Sequence, residues 1–404
     1  MDLISGCPFW PINSGLLATY PKLHAAIDCD VVVIGGGITG AFTAHALQRA
    51  GLATVVLDRR DIGFGSTAAS TCLLQYEIDL SLTQLAKIHG ERNAVRCYEA
   101  SRGALRAIAQ LPRAIRQDCG FIPRESLYAA SRPRDVSGLK QETALRRAHG
   151  FSVEYWDRRK IAAHSSLPYP AALLSHEAGE VDAYRLTHAL FRTAAAQGAQ
   201  IFDRTEVVRR RFTRAGVELR TREGHRVRAR RLVIATGYEA RPFLPEPVMA
   251  LHSTFALVTE PMPDFPGWPG RRLIWETARP YLYLRTTADH RVIIGGGDVP
   301  FRDPAARDQL LAAKTRWLLR RLQQLFPRLR PELAYAWTGT FAVTDDGLPY
   351  IGQIKSAPHT WFALGYGGNG ILYSQIAAEI ICAGCLGQSH AQADLFAFDR
   401  VAVR

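Results

Sequence analysis

Over the first sixty residues the apolar positions come in short unbroken runs, not in alternation. Asp30–Ile34 carries three consecutive valines before Ile34, the pattern of a strand covered on both faces, and Ala53–Leu57 repeats it before ending at Asp58. Between them lie a glycine-rich turn, Gly35–Gly40, and a helical stretch, Ala41–Ala50, closed by Gly51. Apolar residues at three-to-four spacing then predict helix across Ser81–Gln117, with Pro112 as the expected break. Residues 121–180 mix short apolar runs with proline and glycine and read as strands and loops. Asp182–Gln197 is an amphipathic helix stopped by Gly198. Ala199–Phe202, Val207–Phe212, Gly216–Thr221 and His225–Ala229 alternate and predict a meander, and Arg231–Gly237 is a buried strand meeting a glycine turn. Residues 243–300 read as strand material, and Asp308–Phe326 as an amphipathic helix with Pro327 beyond it. Trp361–Leu364, Gly365–Gly370 and Ile371–Ala383 form a last strand, glycine turn and helix.

Strand, glycine turn, helix and strand within about 30 residues is the context that a dinucleotide fingerprint requires. Gly35 permits the tight turn, Gly37 lets backbone approach a pyrophosphate, and Gly40 lets the helix pack close on the strand. The helix start offers N–H groups and a positive dipole end to phosphates. Asp58 lies 18 residues past Gly40, placed to accept hydrogen bonds from the adenosine ribose. Arg291–Gly297 superficially repeats the motif, but Asp298–Pro300 follows it in place of a helix, so it is read as a strand end and turn without a nucleotide. Nucleotide-type elements recur at the start, middle and end of the chain. The expected fold class is therefore α/β, a discontinuous Rossmann-like dinucleotide domain (1–110, 181–243 and 336–404) with a β-sheet-rich α+β substrate domain (111–180 and 244–335).

Composition narrows the picture without changing it. The 404 residues are 47% hydrophobic and 22% charged, which supports a sizeable core and excludes disorder. The net charge is +13, carried by 44 Arg and only six Lys among 50 basic residues. The longest pure Arg run is Arg209–Arg211 and the rest are dispersed, unlike a nucleic-acid-binding arm. Seven cysteines without regular spacing make a poor disulfide framework, which points to a reducing compartment. Cys382 and Cys385 have metal-like spacing but no second pair, so no metal is expected. No basic-then-apolar leader is read at the N-terminus, and the charge-free stretch Ser356–Ala378 is broken by glycines, so a cytoplasmic location without a membrane span is the expectation.

At residues 33–40, Gly63–Ser70, Glu180–Leu186, Val233–Gly237, Thr344–Gly352 and Gly365–Gly370 the chain resembles the D-amino acid oxidase superfamily of FAD-dependent oxidoreductases. That superfamily includes glycine, sarcosine and γ-glutamylputrescine oxidases, and the resemblance covers nearly the whole chain. Phe9, Trp10 and the segment Tyr281–Arg285 look most like the γ-glutamylputrescine oxidase type.

The resemblance implies oxidation of a C–N bond in an amine or amino acid. A hydride would pass to flavin N5, leaving an imine that water hydrolyses. It implies that FAD is held by Gly35, Gly37, Ile38, Thr39 and Gly40 at the first turn, and by Asp58 and Arg59 after the second strand. Gly65, Ser66, Thr67, Ser70, Thr71, Cys72 and Leu73 would wrap the pyrophosphate and pass the flavin. Val207 would meet the adenine through its backbone, and Thr236 and Gly237 would close the first FAD-binding sheet. Gly367, Gly368, Asn369, Gly370 and Ile371 would lie at the pyrimidine edge. The catalytic pocket wall would come from Tyr281, Tyr283, Arg285 and Trp337. Tyr281, Tyr283 and Arg285 alternate on one strand face. Arg285 either clamps a substrate carboxylate or forms a cross-strand ion pair. Such chemistry needs orientation in a dry pocket more than acid–base groups, and no His–Asp dyad is expected.

Three departures from the family pattern matter. Thr338–Val343, after Trp337, lacks the Arg that binds an α-carboxylate in glycine and D-amino acid oxidases. No Cys lies between 120 and 381, so FAD is expected to be non-covalent. No Lys lies between 161 and 313, so the electron acceptor, O2 or another, stays open. A tRNA-modifying flavoprotein and the FAD-binding subunit of a hetero-oligomeric amine dehydrogenase are the alternatives.

Overall fold

In the computed structural model, which describes residues 2–244 and 246–400, the strand Ile27–Ile34 is covered on both faces. Val31 and Val33 enter one hydrophobic cluster and Val32 and Ile34 another, as side chains alternating on a pleated strand must. Thr54–Leu57 and then Gln200–Phe202 lie parallel on one side, and Arg226–Ile234 and then Thr360–Leu364 lie parallel on the other. Tyr350–Gln353 closes that edge antiparallel. The winding therefore reverses between Ile27–Ile34 and Arg226–Ile234, and doubly wound sheets bind ligands beyond the carboxyl ends of their strands at such a reversal. Helices Ile38–Arg49, Ala183–Ala196 and Gly370–Cys385 pack together on one face. On the other, Val217 and Leu219 of a meander pack with Val32, Val55 and Phe362. The two short strands expected at His225–Ala229 and Arg231–Gly237 are one continuous strand, which pairs with both the meander and Ile27–Ile34.

A second sheet has ten strands among the described residues. It runs from Ile4–Gly6 through Leu333–Val343, Ala250–Thr259, Val292–Pro300, Leu282–Thr286 and Leu273–Glu276 to Ile122–Ala129, Ala171–Glu180 and Leu73–Gln75. Val153–Asp157 also pairs with Ala171–Glu180. Ala256, Val258, Trp275, Ile293 and Trp337 face the cluster shared with the nucleotide-side helices. Phe255, Leu257, Ile274, Leu284 and Ile294 face a separate core under the helix Leu311–Leu325, which contributes Leu318, Leu322 and Leu325 at helical spacing. The boundary expected at 336 falls inside Leu333–Val343, a strand paired along most of its length with Ala250–Thr259. That strand, Ile4–Gly6 and Leu73–Gln75 belong to the ten-stranded sheet by their hydrogen bonds.

The structure corrects three other expectations. The helical stretch after Ser81 breaks at Gly90, with φ of 77°, and not at Pro112, which sits in the last turn of Glu91–Ile115. There the Pro112 carbonyl accepts the Gln117 N–H at 3.0 Å, which closes the helix end. The segment 121–180 contains a full helix, Val136–Ala148, that hydrophobic periodicity does not reveal, because three of its four buried residues are Glu142, Thr143 and Arg146. Gly295–Gly297 does not end a strand, since Val292–Pro300 runs through it. No helix among the described residues is long and apolar enough to cross a membrane.

Glu142 and Arg146 explain how a polar helix face becomes buried. Arg146 bonds Glu142 at 2.7 Å and Glu77 at 3.2 Å, all three side chains being almost wholly inaccessible. Glu142 also accepts the backbone N–H groups of Leu82 and Thr83, at 2.8 and 2.9 Å, and so caps the helix Leu82–His89 from outside. Arg146→Ala leaves Glu77 buried without its cation, which costs about 3–5 kcal/mol. A fall of that size in unfolding free energy by urea titration is expected, and an unchanged midpoint would contradict the assignment.

Candidate functional site

Beyond the carboxyl ends of the parallel strands the backbone turns on itself. Gly35 takes φ of 120° and donates to the Leu57 carbonyl at 2.9 Å, while a Cβ on Gly40 would fall 1.8 Å from the Gly35 carbonyl oxygen. The helix Ile38–Arg49 can therefore start directly against the strand end, with no side-chain cap at Gly37. Asp58 sits across the turn, its Oδ2 accepting from Gly36 N at 2.5 Å and its Oδ1 from Arg60 N at 2.7 Å. Burial pushes the Asp58 carboxyl up, against the pull of those two N–H groups. Arg60 pairs with Glu239 at 2.8 Å, and Arg59 meets the same carboxylate.

The loop Gly65–Leu73 crosses in front of this turn. Thr67 Oγ1 accepts the Ile38 N–H at 3.0 Å. Three side chains hold the loop from behind. Trp10 Nε1 donates to the Ser70 carbonyl at 2.6 Å and Trp337 Nε1 to the Ala69 carbonyl at 2.9 Å. Arg285 donates to the carbonyls of Cys72 and Val181 at 2.8 and 2.9 Å, stands 3.5 Å from Glu180, and lies over the Trp10 ring. Cys72 adopts φ of 60°, and burial pushes its thiol up to about 12, so it is a neutral group there.

On the far side, Tyr283 and Tyr281 project from the ten-stranded sheet, their rings 5.6 Å apart. Gly295 clears room for the Tyr283 ring, since a Cβ would fall 2.3 Å from it. This close approach is what the second glycine run serves. Tyr283 and Thr254 share a hydrogen bond of 3.0 Å. Tyr281 donates to Asp79 Oδ1 at 2.8 Å, and Asp79 Oδ2 accepts from Gly368 N at 2.7 Å, tying the sheet to the turn Gly365–Gly370. Asn369 reinforces that turn by donating to the carbonyls of Gln75 and Glu77, at 3.2 and 2.6 Å. Burial raises both tyrosines well above the usual phenol value, so both stay protonated. Burial and the nearby Asp79 push Asp298 up to about 6.

These walls enclose one cavity of about 600 Å³ that reaches from Asp58 and Phe243 to Tyr283 and Asp298. Every residue expected above to touch the cofactor lines it except Gly40, which acts behind the wall through its contact with Gly35. Of the four residues expected beside the substrate, Tyr281 and Tyr283 line it. Arg285 and Trp337 do not, because their donor groups are turned into the loop Gly65–Leu73. The carboxylate-clamp reading of Arg285 is thereby corrected towards its alternative, an ion pair with Glu180. Sequence reasoning missed Asp79, Thr254, Trp275 and Asp298, all in the lining. No sequence signal singled out Asp298, because the glycine run before it makes space for Tyr283 on the neighbouring strand.

A flavin dinucleotide fits this lining. The uncapped helix start and the close backbone at Gly35–Gly37 suit a pyrophosphate, and buried hydroxyls of Ser66 and Thr236 and the Gln75 amide oxygen have no protein partner. A doubly wound sheet opening onto an aromatic-walled cavity defines a dinucleotide-dependent enzyme. A family model described as FAD dependent oxidoreductase matches residues 30–383, and the chain belongs to that family. Its cofactor is FAD. The chain is 25% identical over 387 residues to γ-glutamylputrescine oxidoreductase of Escherichia coli K12, spanning 92% of this chain and 87% of that one. It is 24% identical to glycine oxidase of Geobacillus kaustophilus, over 87% and 91% of the two chains. The crystal structure of glycine oxidase from the same organism superposes with a TM-score of 0.78 at 23% identity, covering 92% and 99%. L-amino acid deaminase from Proteus vulgaris gives 0.79 at 15% identity, covering 95% and 100%.

Arg285→Ala leaves the carbonyls of Thr71, Cys72 and Val181 without their donor and Glu180 with Arg124 as its remaining cation at 3.0 Å, so it lowers stability by about 1–3 kcal/mol and reduces FAD retention and the turnover of every substrate alike. Thermal unfolding and flavin content measure this. A loss confined to carboxylate-bearing substrates would contradict it.

Proposed function

We propose that the chain oxidises a C–N bond of an amine or amino acid, the substrate lying between the turn Gly365–Gly370 and the rings of Tyr281 and Tyr283. The observation that supports this most is the continuity of the cavity, because the nucleotide cradle and the aromatic sheet face line the same space. Two relatives, γ-glutamylputrescine oxidoreductase and glycine oxidase, support that class of bond. Bound FAD supplies the two-electron acceptor for such chemistry.

The chain's own residues do the positioning. Tyr281, Tyr283 and Trp275 form an apolar wall that excludes water, and Asp79 locks Tyr281 to the turn at Gly368. Asn369 fixes the turn against Gln75 and Glu77, so the wall and the turn move little relative to each other. The loop Gly65–Leu73, anchored by Trp10, Trp337 and Arg285, presents its backbone along the third side. No member of this wall is a histidine, in keeping with a reaction that asks for orientation of a neutral amine more than for proton relay. FAD held without a covalent link is part of this reading; among the described residues that line the cavity the one thiol is Cys72, which burial keeps protonated.

Anaerobic mixing of the purified holoprotein with polyamine derivatives, N-methyl amino acids and D-amino acids tests the proposal. At least one group bleaches the yellow flavin band within the dead time or seconds after it. A flavin left oxidised by all three groups would overturn it.

A further inference from the structure

The two ends of the cavity differ in charge. Among the described residues that line it, the cationic side chains are Arg59 and Arg60, both at the nucleotide end and both paired with Glu239. At the other end the charged side chains are Asp79 and Asp298, set among Trp275, Tyr281 and Tyr283. The cations nearest to that end do not line it, although Arg279 lies over the Tyr281 ring and Lys314 and Arg279 both favour the charged form of Asp298. Arg279 donates to the Asp79 backbone carbonyl at 2.7 Å, Lys314 to the Gly297 carbonyl at 2.5 Å, and Arg285 is held behind the loop.

The two carboxylates are not equivalent. Both oxygens of Asp79 are engaged, one by Tyr281 and one by Gly368. Asp298 Oδ1 is buried and has no hydrogen-bond partner. Its place is set by the backbone: it follows Gly297, whose φ is 71°, and lies where the pairing of Val292–Pro300 with Ala250–Thr259 is irregular between Ser253 and Phe255. A carboxylate oxygen withdrawn from water without a partner is unfavourable unless a cation or donor reaches it. Aromatic faces beside it also favour a cation over an anion.

We propose that Asp298 receives a second positively charged group of the substrate, so that the enzyme prefers α,ω-diamines and longer polyamines to simple amines and to amino acids. The inference rests on the amine-oxidation reading above and names its substrate class. A diamine places one nitrogen at the C–N bond to be oxidised and its distal ammonium on Asp298. An ω-amino acid of the same length brings a carboxylate to the same place, where Asp298 and Asp79 repel it and no lining guanidinium offsets the repulsion. A monoamine brings only a methyl group and leaves Oδ1 unsatisfied.

The test is anaerobic flavin reduction by three matched series of three to six carbons: n-alkylamines, α,ω-diamines and ω-amino acids. The apparent second-order rate constant for the best diamine exceeds that of the alkylamine of equal length by roughly 10- to 100-fold, the range expected of one charge-assisted hydrogen bond. The ω-amino acids are slowest. In Asp298→Asn the diamine-to-alkylamine ratio falls to within about threefold of unity. Equal rates for diamines and alkylamines in the wild-type protein would overturn the inference and leave amine oxidation standing. Reduction by no amine or amino acid of any kind would overturn the reading beneath it. Because the wild-type series decides between these outcomes, a variant that loses its flavin does not rescue the inference.

Discussion

Everything in the cavity depends on one contact between two stretches of backbone. The helix Ile38–Arg49 begins against the end of Ile27–Ile34 because Gly40 has no side chain to collide with the Gly35 carbonyl. With the helix start in that place, Gly36 N reaches Asp58 and Ile38 N reaches Thr67. Thr67 draws the loop Gly65–Leu73 across the crevice, and the loop in turn gives its carbonyls to Trp10, Trp337 and Arg285. Trp337 and Arg285 belong to the ten-stranded sheet, so the second half of the molecule is fastened to the first through this loop. The aromatic wall faces the nucleotide cradle as a consequence.

The excess of arginine acquires a physical meaning in this arrangement. Arg285, Arg146 and Arg307 are almost wholly buried. Each bonds to two or more groups, Arg307 reaching the Asp2 carbonyl, Thr340 and Asp308. A guanidinium offers five N–H donors in a fixed plane and stays charged, which suits it to join several backbone segments at once, whereas an ammonium does not hold such a fork. Much of the basic composition therefore serves cohesion and exposed ion pairs such as Arg228 with Asp28, and the cavity itself is acidic at the end away from the nucleotide. Net charge alone carried no hint of that inversion.

What could be read in the sequence and what could not divides along physical lines. The fingerprint was legible because each of its glycines answers a steric demand within a dozen residues, and the unbroken valine run can only be a doubly covered strand. The placement of Tyr281 and Tyr283 in the cavity was legible through resemblance and strand alternation. Arg285 shares that alternation yet is engaged behind the loop, since strand periodicity fixes a face and says nothing of which other segment covers it. The helix Val136–Ala148 was hidden because its buried face is built from Glu142, Thr143 and Arg146, of which Glu142 and Arg146 partner residues 60 or so positions away in the chain. Asp298 was hidden because the glycine run before it answers to Tyr283, a residue of the neighbouring strand.

We propose that the glycine-built crevice reads the adenosine half of FAD while the flavin half lies along the loop and the aromatic wall. Fluorescence titration of the flavin-stripped protein with FAD and, separately, FMN tests this most directly. Because Asp58, Val207 and the first glycine turn serve only the dinucleotide, FAD binds with one equivalent per chain and at least roughly 100-fold more tightly than FMN. Equal affinity for the two flavins would contradict the account.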